Sequence, residues 1–206
     1  MGTHGASKGV PAVFLDRDGT LNEMVYDPTH GLLDSPRRPA QVRAVAHAKE
    51  LLQELREMGF LIVLVTNQPG ISKGTLTLDE LHAVNLELSK ALAPSRWDTL
   101  EFCPHHPEFG LICGCRKPLP GMIFKAAQEH GVDLESSWMV GDGLVDVQAG
   151  KAAGCRTILL SKLKLNLIER FFDLEGAEPD FVVRDLLEVL RCIRGIPPAS
   201  KARESS

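Results

Sequence analysis

The sequence predicts an α/β fold of the Rossmann-like kind, a parallel sheet with helices on both faces. Three observations carry this. Short apolar runs alternate with longer segments of helical period. One run, FLIVLV at 60–65, is apolar at every position, as a strand covered on both faces requires. Polar residues of unusual type stand directly after several of these runs, where an open parallel sheet holds its ligand.

The first strand is AVFL at 12–15. Pro39 then opens a helix in which Val42, Val45, Leu52 and Leu55 share one stripe and which closes near Gly59. After the strand at 60–65, Thr77 and Glu80 form a Thr-x-x-Glu capping box that starts a helix over 77–92. TLEF at 99–102 is the next strand, Pro120 starts a helix ending at Gly131, WMV at 138–140 is a strand, and 144–154 is a helix leading into RTILL at 156–160. From 161 to 195 the pattern gives a helix, a loop, a short edge strand FVV at 181–183 and a closing helix; Leu163, Leu165 and Phe171 are expected to pack on the core, with a partner surface as the other reading.

A chain of 206 residues with 44% hydrophobic content suits one domain, taken as 10–195, with 1–9 and 196–206 as small, polar, mobile tails. A net charge of -4 argues against a nucleic-acid binder, which would show a basic face. No apolar stretch approaches the roughly 18 residues that span a bilayer, and the start MGTHGASKG lacks a signal core. The expectation is a cytoplasmic monomer acting on a small molecule, away from membranes.

The chemistry sits at the strand ends. After AVFL come Asp16 and Asp18; after FLIVLV come Thr66 and Asn67; after WMV come Gly141, Asp142 and, four residues on, Asp146; Lys117 lies in CRKP ahead of the helix at 120. Any one of these is what an ordinary turn uses. Four compatible ends in order form a constellation for handling a phosphoryl group with a divalent cation. Asp16 and Asp18, at i and i+2, point to one side if the strand continues through them, and two such carboxylates repel unless a hard cation such as Mg²⁺ joins them. The pair reads as a nucleophile and an acid/base bridged by that metal, while Thr66 and Lys117 hold phosphoryl oxygens. Asp146 reads as a supporting or helix-starting residue.

FCPHHPEFGLICGCRKP holds Cys103, His105, Cys113 and Cys115 in the spacing C-x-H-x₇-C-x-C. Three thiols and an imidazole suit tetrahedral Zn²⁺ in a structural site. A disulfide, or thiols unrelated to one another, are the other readings, and His106 competes with His105 as ligand. Cys155 and Cys192 read as small buried hydrophobes.

The ordered set resembles the haloacid dehalogenase superfamily: DRDGT as first motif, the Thr of VTNQ as second, the Lys of CRKP as third and GDGLVD as fourth, over about residues 11–160. The resemblance implies that Asp16 attacks phosphorus to form an aspartyl phosphate and that Asp18 protonates the leaving oxygen and then activates water. It also implies that Mg²⁺ is held by the carboxylates of Asp16 and Asp142 with the backbone carbonyl of Asp18. CPHHPE and CxCRKP together are similar to the heptose 1,7-bisphosphate phosphatase branch, whose members remove the C7 phosphate, and to the histidinol phosphatase domain, which shares the zinc loop. In that branch there is no large cap domain; the loop after the first motif, the TNQ loop and the inserted zinc-binding loop cover the substrate. Arg116 would then bind a second phosphate, and Asn67 the sugar or a phosphate. The chain departs from the branch at Lys73, where Arg is usual, at Gly143, where Lys is usual, and over 26–45. Two alternatives stand beside the heptose reading: a phosphatase of histidinol phosphate or another small ester, and a receiver-like signalling or scaffold domain that accepts phosphate on Asp16 from a partner.

Overall fold

Strand β1 (Ala12–Leu15) lies at the centre of a six-stranded parallel sheet of order β5-β4-β1-β6-β7-β8. In this computed structural model residues 9–29, 31–109, 113–163 and 177–196 are described. Along the chain the further elements are β2 (Val25–Asp27), β3 (Leu32–Asp34), α1 (Ala48–Glu57), β4 (Leu61–Asn67), α2 (Leu78–Ala91), β5 (Thr99–Cys103) and α3 (Gly121–His130). They continue with β6 (Trp138–Gly141), α4 (Leu144–Ala153), β7 (Arg156–Leu160), β8 (Phe181–Val183) and a final helix, α5 (Leu186–Ile193). All the expected strands are present, and β4 runs two residues further than its apolar stretch, so Thr66 and Asn67 are themselves strand residues.

The side-chain alternation of β1 divides the core. Val13 and Leu15 pack with Leu51, Leu52 and Leu55 of α1, with Val84 and Leu88 of α2 and with α5 residues on one face of the sheet. Ala12 and Phe14 pack with Met122, Ile123 and Ala126 of α3 and with Ala149 of α4 on the other. Both faces being covered is why β1 is buried at all four positions and why β4 needs no polar alternation. From β1 the chain goes to β4 and β5 on one side, and later to β6, β7 and β8 on the other. The order therefore reverses beside β1, the place where a crevice opens at the carboxyl ends of an open sheet.

The helix expected from Pro39 begins instead at Ala48. Pro39–Gln41 make one 3₁₀ turn, and the stretch after it is extended because its backbone is bonded elsewhere. Glu23 N–H donates to the Arg43 carbonyl, Val45 N–H donates to the Leu21 carbonyl, and Asn22 bridges Ala44. Those bonds to the turn after β1 outcompete a helical ladder, and His47, at φ 65, sets the entry to α1. The capping box at Thr77 and Glu80 forms as expected: Thr77 N–H donates to the Glu80 carboxylate at 2.8 Å, and Glu80 N–H donates to the Thr77 hydroxyl at 3.2 Å. Helix α3 ends at Gly131, whose φ of 63 is the left-handed cap that glycine takes without a Cβ penalty.

Residues 26–45 form something the sequence pattern did not reveal, an antiparallel β2–β3 hairpin pairing Tyr26 with Leu33. Of the helix expected early in 161–195, residues 161–163 are described and are not helical, and Leu163 is exposed rather than packed on the core; Leu165 and Phe171 lie outside the described residues, as do 1–8 and 197–206 of the two tails. The edge strand and closing helix of that segment are β8 and α5. Cys155 and Cys192 are buried, as expected of small apolar side chains. Among the described residues no helix is long and apolar enough to cross a membrane.

Candidate active site

Asp16 follows the last residue of β1, and its N–H still donates to the Val140 carbonyl of β6 at 2.9 Å, so the strand's alternation carries through it. That parity sends its carboxylate toward the α3 and α4 face, from which Lys117 and Asp146 arrive. Lys117 Nζ lies 2.6 Å from Asp16 Oδ1, 2.6 Å from Asp146 Oδ1 and 2.7 Å from the Val65 carbonyl. It donates to Asp16 and to the Val65 carbonyl and pairs by charge with Asp146, which is how an ammonium only 3% exposed is tolerated. The lysine is placed by Asn67, whose amide donates to the Lys117 carbonyl and accepts from its N–H, both at 3.0 Å. Asn67, expected to touch substrate, is therefore spent on the Lys117 backbone, although it also lines the cleft described below.

Asp142 follows β6, and its carboxylate joins those of Asp16 and Asp146, with one oxygen of each within 4.8 Å of the others. Burial raises Asp16 to about 8; Lys117 opposes the rise, and the charges of Asp146 and Asp18 add to it. Burial and Asp146 likewise push Asp142 up to about 6. Burial alone would drive Lys117 toward its neutral form, but Asp146 and Asp16 reverse this and leave it more basic than usual. Once all three carboxyls are ionised, one ammonium leaves two negative charges unmatched, and all-oxygen donors suit a hard divalent cation. The residues present thus fit Mg²⁺.

Asp18 is not in that group. The chain turns at Gly19, φ 91, and the Asp18 carboxylate is bound instead by Arg17, Gln68 and Asn22. The expectation that both acids of the first motif point to one metal-bridged pair fails for the side chains. Strand geometry stops one residue after Asp16, so the i, i+2 rule no longer applies. Asp146 does more than expected. One oxygen accepts the Gly143 N–H at 3.0 Å and starts α4, while the other pairs with Lys117. A carboxylate one helical turn after Asp142 was the available signal. Thr66, 1% exposed, accepts from Gln68 Nε2 at 2.9 Å, and the same nitrogen donates to Asp18 Oδ2 at 2.8 Å. Sequence reasoning had no role for Gln68 or Arg17.

The second cluster begins at Cys103, the last residue of β5. Its Sγ lies 3.5 Å from Cys113 Sγ, 3.2 Å from Cys115 Sγ and 3.7 Å from His105 Nδ1. Ligands about 2.3 Å from a tetrahedral zinc stand about 3.7 Å apart, so the set fits that ion, and its sulfurs are too far apart for a disulfide bond. His106 is turned away: its Nδ1 accepts the Glu108 N–H at 3.3 Å and its ring meets Phe109 edge-on. His105 is thus the imidazole that the fold brings to the thiols. The loop leaves the sheet at Cys103 and returns at Cys115, which delivers Arg116 and Lys117 to the ends of β4 and β1.

Beside this lies a cleft of about 540 Å³ between the hairpin and the TNQ loop, with Arg37, Lys73 and Arg116 on its walls together with Asp27 and Asp34. Two of the three departures noted in the sequence, Lys73 and the 26–45 segment, meet here. The third, Gly143, stands at the start of α4.

A family model described as HAD-hydrolase-like matches residues 114–189. The D-glycero-β-D-manno-heptose-1,7-bisphosphate 7-phosphatase of Yersinia pestis is 41% identical over 196 residues, 91% of this chain and 97% of that protein. The chain belongs to this family of HAD-like phosphatases. The phosphatase of the same name from Escherichia coli K12 is 39% identical over 75% of this chain and 80% of that protein. Among solved structures, the D,D-heptose 1,7-bisphosphate phosphatase of B. bronchiseptica, complexed with magnesium and phosphate, has a TM-score of 0.73 at 31% identity, covering 90% of this chain and 98% of that one. A phosphomonoester hydrolase on a HAD-like sheet is therefore the frame in which the two clusters act.

Within it, Gly19 is the tightest packing point. A Cβ there would lie 2.0 Å from Asp142 Oδ2 on a backbone that L side chains rarely adopt. Gly19→Ala should displace the Asp142 carboxylate by about an ångström and lower kcat/KM on the order of a hundredfold, read by phosphate release.

Proposed function

We propose that the protein hydrolyses the C7 phosphate of D-glycero-β-D-manno-heptose 1,7-bisphosphate through an aspartyl phosphate on Asp16. The observation that carries this is the Asp16–Lys117–Asp146 arrangement at the switch point. A buried carboxyl has one oxygen held by an ammonium, with Asp142 beside it and Thr66 at the end of the neighbouring strand. Asp16 Oδ attacks phosphorus while Lys117 and Thr66 take the equatorial oxygens, and Asp18 gives the leaving alkoxide a proton. Asp18, now ionised, takes a proton from the water that opens the aspartyl phosphate. Mg²⁺ held by Asp16 and Asp142, with the Asp18 carbonyl, would screen the approach of a phosphate dianion to a carboxylate. Asp146 supports Lys117 and closes the same acidic group. Zn²⁺ on Cys103, His105, Cys113 and Cys115 would brace the loop that carries Arg116.

The cleft supports the choice of a bisphosphate. Arg116 and Lys73 offer positive charge on the wall of the cleft, where Arg37 is already paired with Asp34. Names of relatives that cover nearly the whole chain support the β anomer. Phosphate release from both anomers of the bisphosphate and from histidinol phosphate, with wild type and Arg116→Ala, tests the reading. The β-bisphosphate should turn over fastest, and Arg116→Ala should raise its KM about tenfold to a hundredfold with kcat little changed. Faster turnover of histidinol phosphate would replace the substrate, and an unchanged KM would remove Arg116 from the second-phosphate site.

A further inference from the structure

Arg17, the residue between the two acids of the first motif, has the largest fully buried side chain among the described residues, with no exposed surface. The alternation that sends Asp16 toward α3 and α4 sends Arg17 to the opposite face, against α2. There Nη1 donates to the Asn85 side-chain carbonyl at 2.7 Å. The turn at Gly19 then brings Asp18 back onto the same guanidinium: Nε lies 3.0 Å from Asp18 Oδ1 and Nη2 lies 2.8 Å from Asp18 Oδ2. This is a bidentate fork, the geometry in which arginine fixes the plane of a carboxylate as well as its charge. Gln68 adds a donor to Oδ2 at 2.8 Å and Asn22 adds one to Oδ1 at 3.3 Å.

We propose that Arg17, anchored by Asn85 of α2, is the positioning residue of the acid/base carboxylate Asp18. This rests on the phosphatase reading above and deepens it. In the first step the bond from Asp16 Oδ to phosphorus forms as the bond to the leaving oxygen breaks, and the proton on Asp18 passes to that oxygen. Asp18 gains a full negative charge in the same movement, and the fork is already in place to receive it. With Gln68 and Asn22 also bound, both carboxylate oxygens are saturated in the ionised form. The two-point contact to Arg17 holds the plane of the group, which single contacts from Gln68 or Asn22 do not. The buried guanidinium is held by one carboxylate and one fixed amide, which ties the orientation of Asp18 to a helix of the core rather than to a loop.

A positioning role and a structural one differ in how loss depends on the leaving group. An alkoxide needs a proton to depart, whereas p-nitrophenolate does not. kcat/KM reports only steps up to departure, so the later use of Asp18 as a base does not enter it. Arg17→Met should lower kcat/KM for the sugar bisphosphate on the order of a hundredfold, the usual share of general acid catalysis, and for p-nitrophenyl phosphate less than about threefold. Asn85→Ala, which keeps the fork and removes its anchor, should show the same inequality at smaller size and serves where Arg17→Met does not fold. An equal loss on both esters, or no loss on either, would overturn the proposal. Asp16→Asn separates the two levels, since it should silence both esters whatever Arg17 does; retained turnover there would sink the phosphatase mechanism itself.

Discussion

Asp16→Asn should reduce phosphate release by a factor on the order of 10⁴ or more, while leaving the fold intact. The substitution keeps shape and hydrogen-bonding capacity but removes the oxygen anion that attacks phosphorus. Lys117 keeps its ion pair with Asp146 and its hydrogen bond to the Val65 carbonyl. Stability should not fall by much either. The carboxyl of Asp16 is raised to about 8 by burial first. A raised carboxylate stabilises the metal-free protein only at low pH and loses that contribution as pH climbs from the unfolded value toward 8. At pH 8 the neutral asparagine escapes that penalty. In chelator the variant's thermal midpoint should equal or exceed that of wild type, and Mg²⁺ should raise the midpoint of wild type more than that of the variant. Rapid-quench mass spectrometry should find a phosphoryl group on Asp16 in the wild type only. A variant keeping more than about one per cent of turnover would exclude Asp16 as the nucleophile.

Cys115→Ser is expected to have the next largest effect. Cys115 Sγ lies 3.2 Å from Cys103 Sγ and 3.4 Å from His105 Nδ1, so it stands inside the cluster rather than at its margin. Burial pushes Cys103 up, whereas the Arg116 N–H and the neighbouring thiols, working against burial, bring Cys113 down to about 6. Such a group cannot all ionise at neutral pH without a cation, and a bound zinc supplies folding free energy directly. Losing one ligand should cost about 3 to 5 kcal/mol, a fall of roughly 10 to 15 °C in the thermal midpoint of a chain this size. Elemental analysis should find about one zinc per wild-type chain and far less in the variant. Because Cys115 precedes Arg116 and Lys117, kcat should fall as well. Cys155→Ser is the control: that thiol is buried away from the cluster and should leave zinc content unchanged. Equal metal content in Cys115→Ser and wild type would refute the zinc site.

Much of the site was legible because its chemistry is carried by residue type at strand ends. Asp16, Thr66 and Asp142 stand directly after apolar runs, Lys117 stands in CRKP ahead of a helix, and the thiols show by their spacing. Less was legible where local rules compete with distant backbone. The helix expected at Pro39 has a good apolar stripe, yet residues 43–45 are bonded to the turn after β1. The hairpin over the cleft gives no pattern because Leu32 and Leu33 are both exposed.

The sequence by itself determined the layers, the strand order's raw material and the inventory of acids, thiols and basic groups. Periodicity and residue chemistry are local properties, and they survive without knowledge of neighbours. Only the tertiary structure decided which groups meet. It placed Asp146 with Asp16 and Lys117, gave Asp18 to Arg17, brought His105 rather than His106 to the thiols, and gave Asn67, at the edge of the cleft, a hold on the Lys117 backbone. Each of these choices depends on the direction of a side chain after a turn or across adjacent strands. Such a direction is set by packing and by hydrogen bonds between residues far apart in the chain, which no spacing rule contains.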